Sequence, residues 1–256
     1  MLISCDRHTP QDIDCWNDYE ESDYHYASFP TLQKRVNRSI RAIEEFLLKG
    51  RCYLAISGGK DSAVVSHLLS QITKTVPVRW LATEPLVDPY CRETIQEIVS
   101  YCGFSNYREH INWCRLGDRE WHATGTLEEG IKSIQKEVGT LRYITGIRAQ
   151  ESVTRRLRCF QHLENSLNTC APLAWWKTED VYAYAAINNV PLHPTYGMLG
   201  GGRWKREKLR VSFLSLTHGT GGGRTEWEKE YYGDFIRKIY SGFIPENYPY
   251  RENNNA

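Results

Sequence analysis

The chain has 256 residues, 41% of them hydrophobic and 25% charged, with a formal net charge of +1. That length suits one sizeable core and that composition excludes wholesale disorder. The near-zero charge excludes a bulk basic field, so nucleic acid is not indicated and any anion site must come from local clusters. No apolar run approaches the roughly 18 residues that span a bilayer, and the N-terminus lacks a basic flank followed by an apolar stretch. The expectation is a cytoplasmic protein with no membrane partner. The eight cysteines, Cys5, Cys15, Cys52, Cys91, Cys102, Cys114, Cys159 and Cys170, contain no CxxC pair. This argues against a local zinc site, an iron–sulfur cluster and a disulfide framework, and for small buried hydrophobes.

In chain order, residues 1–29 hold aromatic and acidic side chains without clear period, and read as an irregular N-terminal arm on a single domain spanning 1–256. Pro30 and Thr31 open a helix with apolar steps at Leu32, Val36, Ile40, Ile43 and Leu47, and Gly50 stands where a cap is expected. Cys52–Ile56 is apolar throughout, as in a strand covered on both faces, and Ala63–Leu69 follows as a helix. Val78–Thr83 reads as the next strand, then a helix with Asp88 as N-cap, Pro89 in its first turn and Gly103 after its end. Tyr107–Trp113 is a strand candidate, Leu127, Ile131, Ile134 and Val138 mark a helical face, and Leu141–Ile147 is a strand again. This alternation predicts an α/β fold, a mostly parallel twisted sheet flanked by helices, with ligands at the carboxyl ends of its strands. Residues from about 198 to 256 form a divergent C-terminal segment.

Between the first strand and its helix stands Ser57-Gly58-Gly59-Lys60-Asp61-Ser62. Consecutive glycines let backbone approach a ligand closely, and the N–H groups at a helix start face a bound anion. Lys60 offers a point charge to phosphate, Ser57 and Ser62 offer hydroxyls, and Asp61 either holds Mg²⁺ or orients the loop. The GxxxxGK[ST] phosphate loop is not met, because Asp61 follows Lys60 and Leu54 stands where that pattern needs glycine.

The loop resembles the SGGxDS fingerprint of the PP-loop ATP pyrophosphatases. Gly146-Ile147-Arg148-Ala149-Gln150-Glu151-Ser152, with Arg155 beyond, is similar to the GxRxxES…R segment of their sulfonucleotide branch. That branch includes phosphoadenosine phosphosulfate (PAPS) reductases and the small subunit of bacterial ATP sulfurylase. Pro172-Leu173, Trp176, Asp180-Val181, Tyr184, Val190-Pro191 and Pro194-Thr195-Tyr196 follow the branch's third segment, with Thr178 expected to cap its helix. The resemblance implies an adenine nucleotide alpha-hydrolase-like, Rossmann-like fold that binds ATP, PAPS or adenylylsulfate with Mg²⁺. It assigns Ser57, Gly58, Gly59, Lys60, Asp61, Ser62, Gly146, Arg148 and Glu151 to the nucleotide, and Lys60, Arg148 and Arg155 to catalysis. Glu151 is expected to hold one of the arginines in place.

The reductases of this branch use a C-terminal cysteine, and this chain has none after Cys170. What remains is redox-neutral adenylyl transfer to a small anionic acceptor, with sulfate as the family default and pyrophosphate leaving. The alternatives are a reductase with a displaced thiol, Cys159 or Cys170, and a regulatory subunit acting beside a protein partner. Thr83–Asp88 departs from the family's strand end, which leaves the acceptor open. The basic run Arg203–Arg210, preceded by the flexible Gly200–Gly202, is a lid, a phosphate contact, a docking patch or a solvated loop. His218–Arg224 receives no catalytic role.

Overall fold

The computed structural model describes residues 1–116, 121–123, 127–211, 214 and 224–241. In chain order the helices are α1 (Pro10–Ala27), α2 (Pro30–Leu48), α3 (Lys60–Ser70), α4 (Cys91–Cys102), α5 (Leu127–Val138), α6 (Val153–His162), α7 (Thr178–Ile187) and α8 (Arg224–Tyr240). The strands are β1 (Tyr53–Ile56), β2 (Val78–Glu84), β3 (Tyr107–Leu116), β4 (Trp121–Ala123), β5 (Tyr143–Ile144) and β6 (Thr169–Cys170). They lie in the order β4-β3-β2-β1-β5-β6. β1 pairs in parallel with β2 and β5, β5 pairs in parallel with β6, and β3 and β4 are antiparallel. The expected α/β class, a mostly parallel sheet flanked by helices, is the observed one.

The chain divides into two compact units. The first comprises Met1–Trp80, Tyr90–Arg108 and Gln135–Val211; the second comprises Leu81–Pro89, Glu109–Ile134 and Ser212–Ala256. In the first, β1 buries Tyr53, Leu54 and Ile56, and α3 buries Ala63, Val64, Val65, Leu68 and Leu69, so the strand and helix that frame the glycine loop form its centre. In the second, Leu86 and Ile239 form a small core with Phe235 against it, and the Leu214 N–H donates to the Leu86 carbonyl at 2.8 Å. Thr83–Asp88 belongs to this second unit.

The N-terminal arm is not irregular. α1 is capped by Thr9, whose hydroxyl accepts from Asp12 N at 3.2 Å while the Asp12 carboxylate accepts from Thr9 N at 3.1 Å, and Pro10 takes the first helical position. Its buried face is Asp12, Trp16 and Asp23, a helical spacing in which two of the three side chains are acids, so no apolar period marks it. Asp12 also accepts from Leu199 N at 3.0 Å and Gly201 N at 3.2 Å. The backbone turns around that carboxylate with left-handed φ at Gly200 (57°) and Gly201 (61°), so these glycines form a hydrogen-bonded turn where the sequence suggests a flexible run. Arg206 carries a bidentate pair to Asp23, at 2.6 and 2.8 Å, both side chains buried, and so belongs to the fold rather than to a solvated loop.

Other boundaries shift. The helix expected from Asp88 starts at Cys91, with Tyr90 at the cap and Asp88 buried ahead of it, because residues 81–89 fold into the second unit; Gly103 ends it in the left-handed conformation. The strand expected over 141–147 forms ladder pairs only at Tyr143 and Ile144. β4, α6, β6 and α8 are additional to the elements read from sequence. His218–Gly223 lie outside the described residues.

Removing one partner of a buried ion pair strands the other. Asp23→Ala is therefore expected to lower unfolding free energy by about 3–5 kcal/mol in urea titrations; an unchanged midpoint contradicts the assignment.

Candidate active site at the glycine loop

The loop leaves β1 at Ser57, passes Gly58 with φ 74°, and enters α3 at Lys60 with Gly59 as its cap. Gly58 is required twice over. Its φ lies in the left-handed region, and a Cβ there would meet Cys91 Sγ at 2.8 Å. Ser62 closes the loop on itself: its hydroxyl donates to the Gly59 carbonyl at 2.8 Å and accepts from Ser57 N and Ser57 Oγ, each at 3.2 Å. The two serines thus shape the turn.

Gly146 lies directly against the start of α3, where a Cβ would stand 2.8 Å from the Asp61 carbonyl carbon and 2.9 Å from Ser62 N. This close approach delivers Arg148 to the loop. Arg148 Nε donates to Asp61 Oδ1 at 2.6 Å, and Lys60 Nζ donates to Asp61 Oδ2 at 3.1 Å. Arg148 is buried, and its Nη1 also donates to Gln150 Oε1 at 3.0 Å and to Thr178 Oγ1 at 3.3 Å. Gln150 Oε1 accepts from Thr178 N as well, at 2.8 Å. Thr178 is therefore not the cap of α7. It is the first helical residue, and Asp180 accepts from Lys177 N at 2.6 Å in its stead.

Glu151 accepts from Arg148 N at 2.9 Å and from Arg155 Nη1 at 2.5 Å, so it holds Arg155 as expected. Arg155 itself, with its side chain 46% exposed, stays outside the cluster on Asp61. The structure brings together Ser57, Gly58, Gly59, Lys60, Asp61, Ser62, Gly146 and Arg148, and links Glu151 to them through the Arg148 backbone.

Lys60 is buried between aromatic rings, its Nζ 5.4 Å from the centroid of Tyr196 and 5.9 Å from that of Tyr182. Burial opposes its charge, but Tyr196 and Asp61 outweigh that and hold its pKa above the ordinary lysine value. The ammonium is present at neutral pH. Burial pushes the Tyr196 phenol up, so it is neutral there. Its oxygen accepts from Lys60 N, the first N–H of α3, at 3.0 Å. Tyr196, Tyr182, Thr178 and Gln150 are the residues that the sequence reading did not assign to the site. Tyr196 closes the third family segment and Gln150 lies inside the second, which is the signal that pointed to them.

Both oxygens of Asp61 face cations. A divalent ion there would compete with two positive groups that already stand within 3.1 Å of the carboxylate oxygens, and no cluster of three acidic, histidine or cysteine side chains occurs among the described residues. The residues present do not fit a metal held by Asp61; they fit a carboxylate that positions Lys60 and Arg148. Cys159 and Cys170 are fully buried, with thiols pushed up by burial, so neither suits the displaced nucleophile. The described thiol against the loop is Cys91, whose Sγ lies 3.7 Å from the Ser57 carbonyl oxygen.

A parallel α/β sheet with a glycine loop between its first strand and helix, joined to an arginine delivered from behind a later strand, defines a PP-loop protein. Residues 51–198 match the phosphoadenosine phosphosulfate reductase domain, and the chain belongs to that family. It is 24% identical over 169 residues to the phosphoadenosine 5′-phosphosulfate reductase of Synechococcus sp., covering 59% of this chain and 72% of that one. It is 24% identical over 216 residues to the reductase of that name from Proteus mirabilis, covering 77% and 83% respectively. Among solved structures, the phosphate complex of PAPS reductase from Candida auris aligns with a TM-score of 0.44 at 19% identity, over 60% of this chain and 81% of that one.

Tyr196→Phe removes the acceptor for the buried Lys60 N–H together with a bond between the hydroxyl and the Val211 backbone. It is expected to cost about 1–3 kcal/mol of stability by chemical denaturation; no loss contradicts a structural role for those bonds.

Proposed function

We propose that the chain is an enzyme of sulfonucleotide type that acts at the α-phosphate of ATP, transferring the adenylyl group to a small anionic acceptor, with sulfate the first candidate. The observation that carries this reading is the joint placement of Lys60 and Arg148 on Asp61 beside the glycine loop. Two cations and one carboxylate leave one net positive charge at a helix start, which suits phosphate groups. An acceptor oxygen forms a bond to the α-phosphorus, the bond from that phosphorus to the bridging oxygen breaks, and pyrophosphate leaves with the electron pair. Such a step needs positioning and charge neutralisation rather than a protein nucleophile. Lys60 and Arg148 supply the charge, Asp61 and Tyr196 hold the loop, and Glu151 keeps Arg155 at the edge. Magnesium enters this reading only as part of the nucleotide substrate.

A second reading is favoured by the relatives named as reductases and by the Cys91 thiol at the loop. In it, a thiolate forms a bond to the sulfonate sulfur of PAPS, the sulfur–oxygen bond to the nucleotide breaks, and an external dithiol then reduces the thiosulfonate to release sulfite. Cys91 is buried, which opposes the attack.

The test is incubation of purified protein with magnesium and ATP labelled at the α or the γ position, with and without sulfate. Labelled pyrophosphate together with an α-labelled adenylylated product is the expected result. It should persist in Cys91→Ser and fall at least about 100-fold in Lys60→Ala and Arg148→Ala. No pyrophosphate from ATP, with dithiol-dependent sulfite from PAPS that Cys91→Ser abolishes, overturns the first reading for the second. Nucleotide binding without either product points to a required partner subunit.

A further inference from the structure

Side chains from two elements close on the glycines of the loop. Cys91, the first residue of α4, sets its Sγ 2.8 Å from where a Gly58 Cβ would stand and 3.7 Å from the Ser57 carbonyl oxygen. The Tyr196 hydroxyl stands 3.3 Å from a Cβ position at Gly59 and accepts from Lys60 N at 3.0 Å. Consecutive residues of the N-terminal segment bind both elements. Arg7 Nε donates at 3.0 Å to the hydroxyl of Tyr90, the residue before Cys91, and that hydroxyl donates in turn to Asp6 Oδ1. His8 Nε2 donates to the carbonyl of Pro194, two residues before Tyr196, at 2.8 Å; His8 Nδ1 accepts from Cys5 N at 3.3 Å, so Nε2 carries the hydrogen. The segment is led there by a backbone pairing in which Ile3 N donates to the Leu192 carbonyl and Leu192 N to the Met1 carbonyl, each at 2.9 Å.

We propose that Arg7 is a positioning residue of the nucleotide site, acting through Tyr90 on the glycine loop. Adjacent Cα atoms lie about 3.8 Å apart, so tying the start of α4 to residue 7 and the Pro194–Tyr196 turn to residue 8 fixes the spacing of the two elements that grip the loop. The loop has no slack to absorb a change in that spacing, because Gly58 holds φ 74° directly against Cys91. A shift of α4 at its first turn therefore displaces the backbone N–H groups that face a bound phosphate. Asp6 meets the same hydroxyl as Arg7, so the pair brings no net charge to the start of α4, and its contribution is geometric. These residues precede the stretch 51–198 matched by the family, so the matched segments do not contain the clasp. The inference rests on the reading that a nucleotide phosphate binds at this loop, and is indifferent to which reaction follows.

Calorimetric titration of the full chain with ATP and magnesium, and separately with PAPS, tests it in the wild type, Arg7→Met, Tyr90→Phe and the double variant, with Arg41→Met as a control for loss of an exposed positive charge on α2. Each single variant is expected to bind the tighter of the two nucleotides about 10-fold more weakly at unchanged circular dichroism, and the double variant no more weakly than Arg7→Met, because both substitutions open the same link. Arg41→Met is expected to bind as the wild type does. Wild-type affinity in both Arg7→Met and Tyr90→Phe overturns the proposal, because the clasp then serves the fold alone. Losses that multiply to about 100-fold in the double variant overturn it too, because Arg7 then acts independently of Tyr90. A wild type that binds neither nucleotide overturns the loop reading itself and the role of Arg7 with it, an outcome told from the others because it needs no variant.

Discussion

The carboxylate of Asp61 holds together two parts of the chain that are 87 residues apart, and the site depends on it. One oxygen takes the guanidinium of Arg148 and the other the ammonium of Lys60. A buried cation without a partner is costly, so neither Lys60 nor Arg148 could be kept at the loop without this anion. The arrangement explains why Gly146 must be glycine: any side chain there would meet the backbone of Asp61 and Ser62 and push the arginine segment away. It also explains why Gln150 and Thr178 are polar, since both accept from Nη1 of the same guanidinium.

Behind Lys60 lies a second layer in which residues outside the stretch shared with the family back Tyr182, which is inside it. The ring of Tyr182 stands between the Lys60 ammonium, 5.9 Å from its centroid, and the Arg206 guanidinium, 3.8 Å from it. Arg206 is in turn held by Asp23 of α1, and Trp16 of the same helix meets Tyr182 edge-on. Residues 51–198 carry the family match, while α1 and the turn at 199–206 lie beyond its ends. Their part is to back the wall of aromatic rings against which the loop lysine rests, and cation–π contacts strengthen when they are removed from water, as these are.

The sequence made the loop legible because six residues of specific type stood between an apolar strand and an apolar helix, a context that few structural turns reproduce. Arg148 and Glu151 were legible through the resemblance of Gly146–Ser152 to the GxRxxES segment of the family. What escaped notice follows a common physical pattern. α1 buries Asp12 and Asp23, so its inward face lacks the apolar period by which helices are read. β5 and β6 have two residues each, too few to show alternation. Thr178 sat at a plausible cap position, but its hydroxyl is committed to Gln150 and Arg148 across 28 or more residues, a tertiary demand that local helix rules do not contain. Asp61 was read as ligand or organiser, and only its two neighbours in space decide between those roles. The same holds for Arg206: a run of basic residues looks solvated until one of them finds a buried acid.

The central claim is that Asp61 and Arg148 act as one unit. A double-mutant cycle on unfolding free energy, with Asp61→Asn, Arg148→Met and the pair, measures this directly. Coupled residues are expected to show an interaction energy of about 1–3 kcal/mol, the double variant losing less than the two single losses combined. Additive losses would mean that the two side chains stabilise the protein separately, and that the shared carboxylate is not what holds the site together.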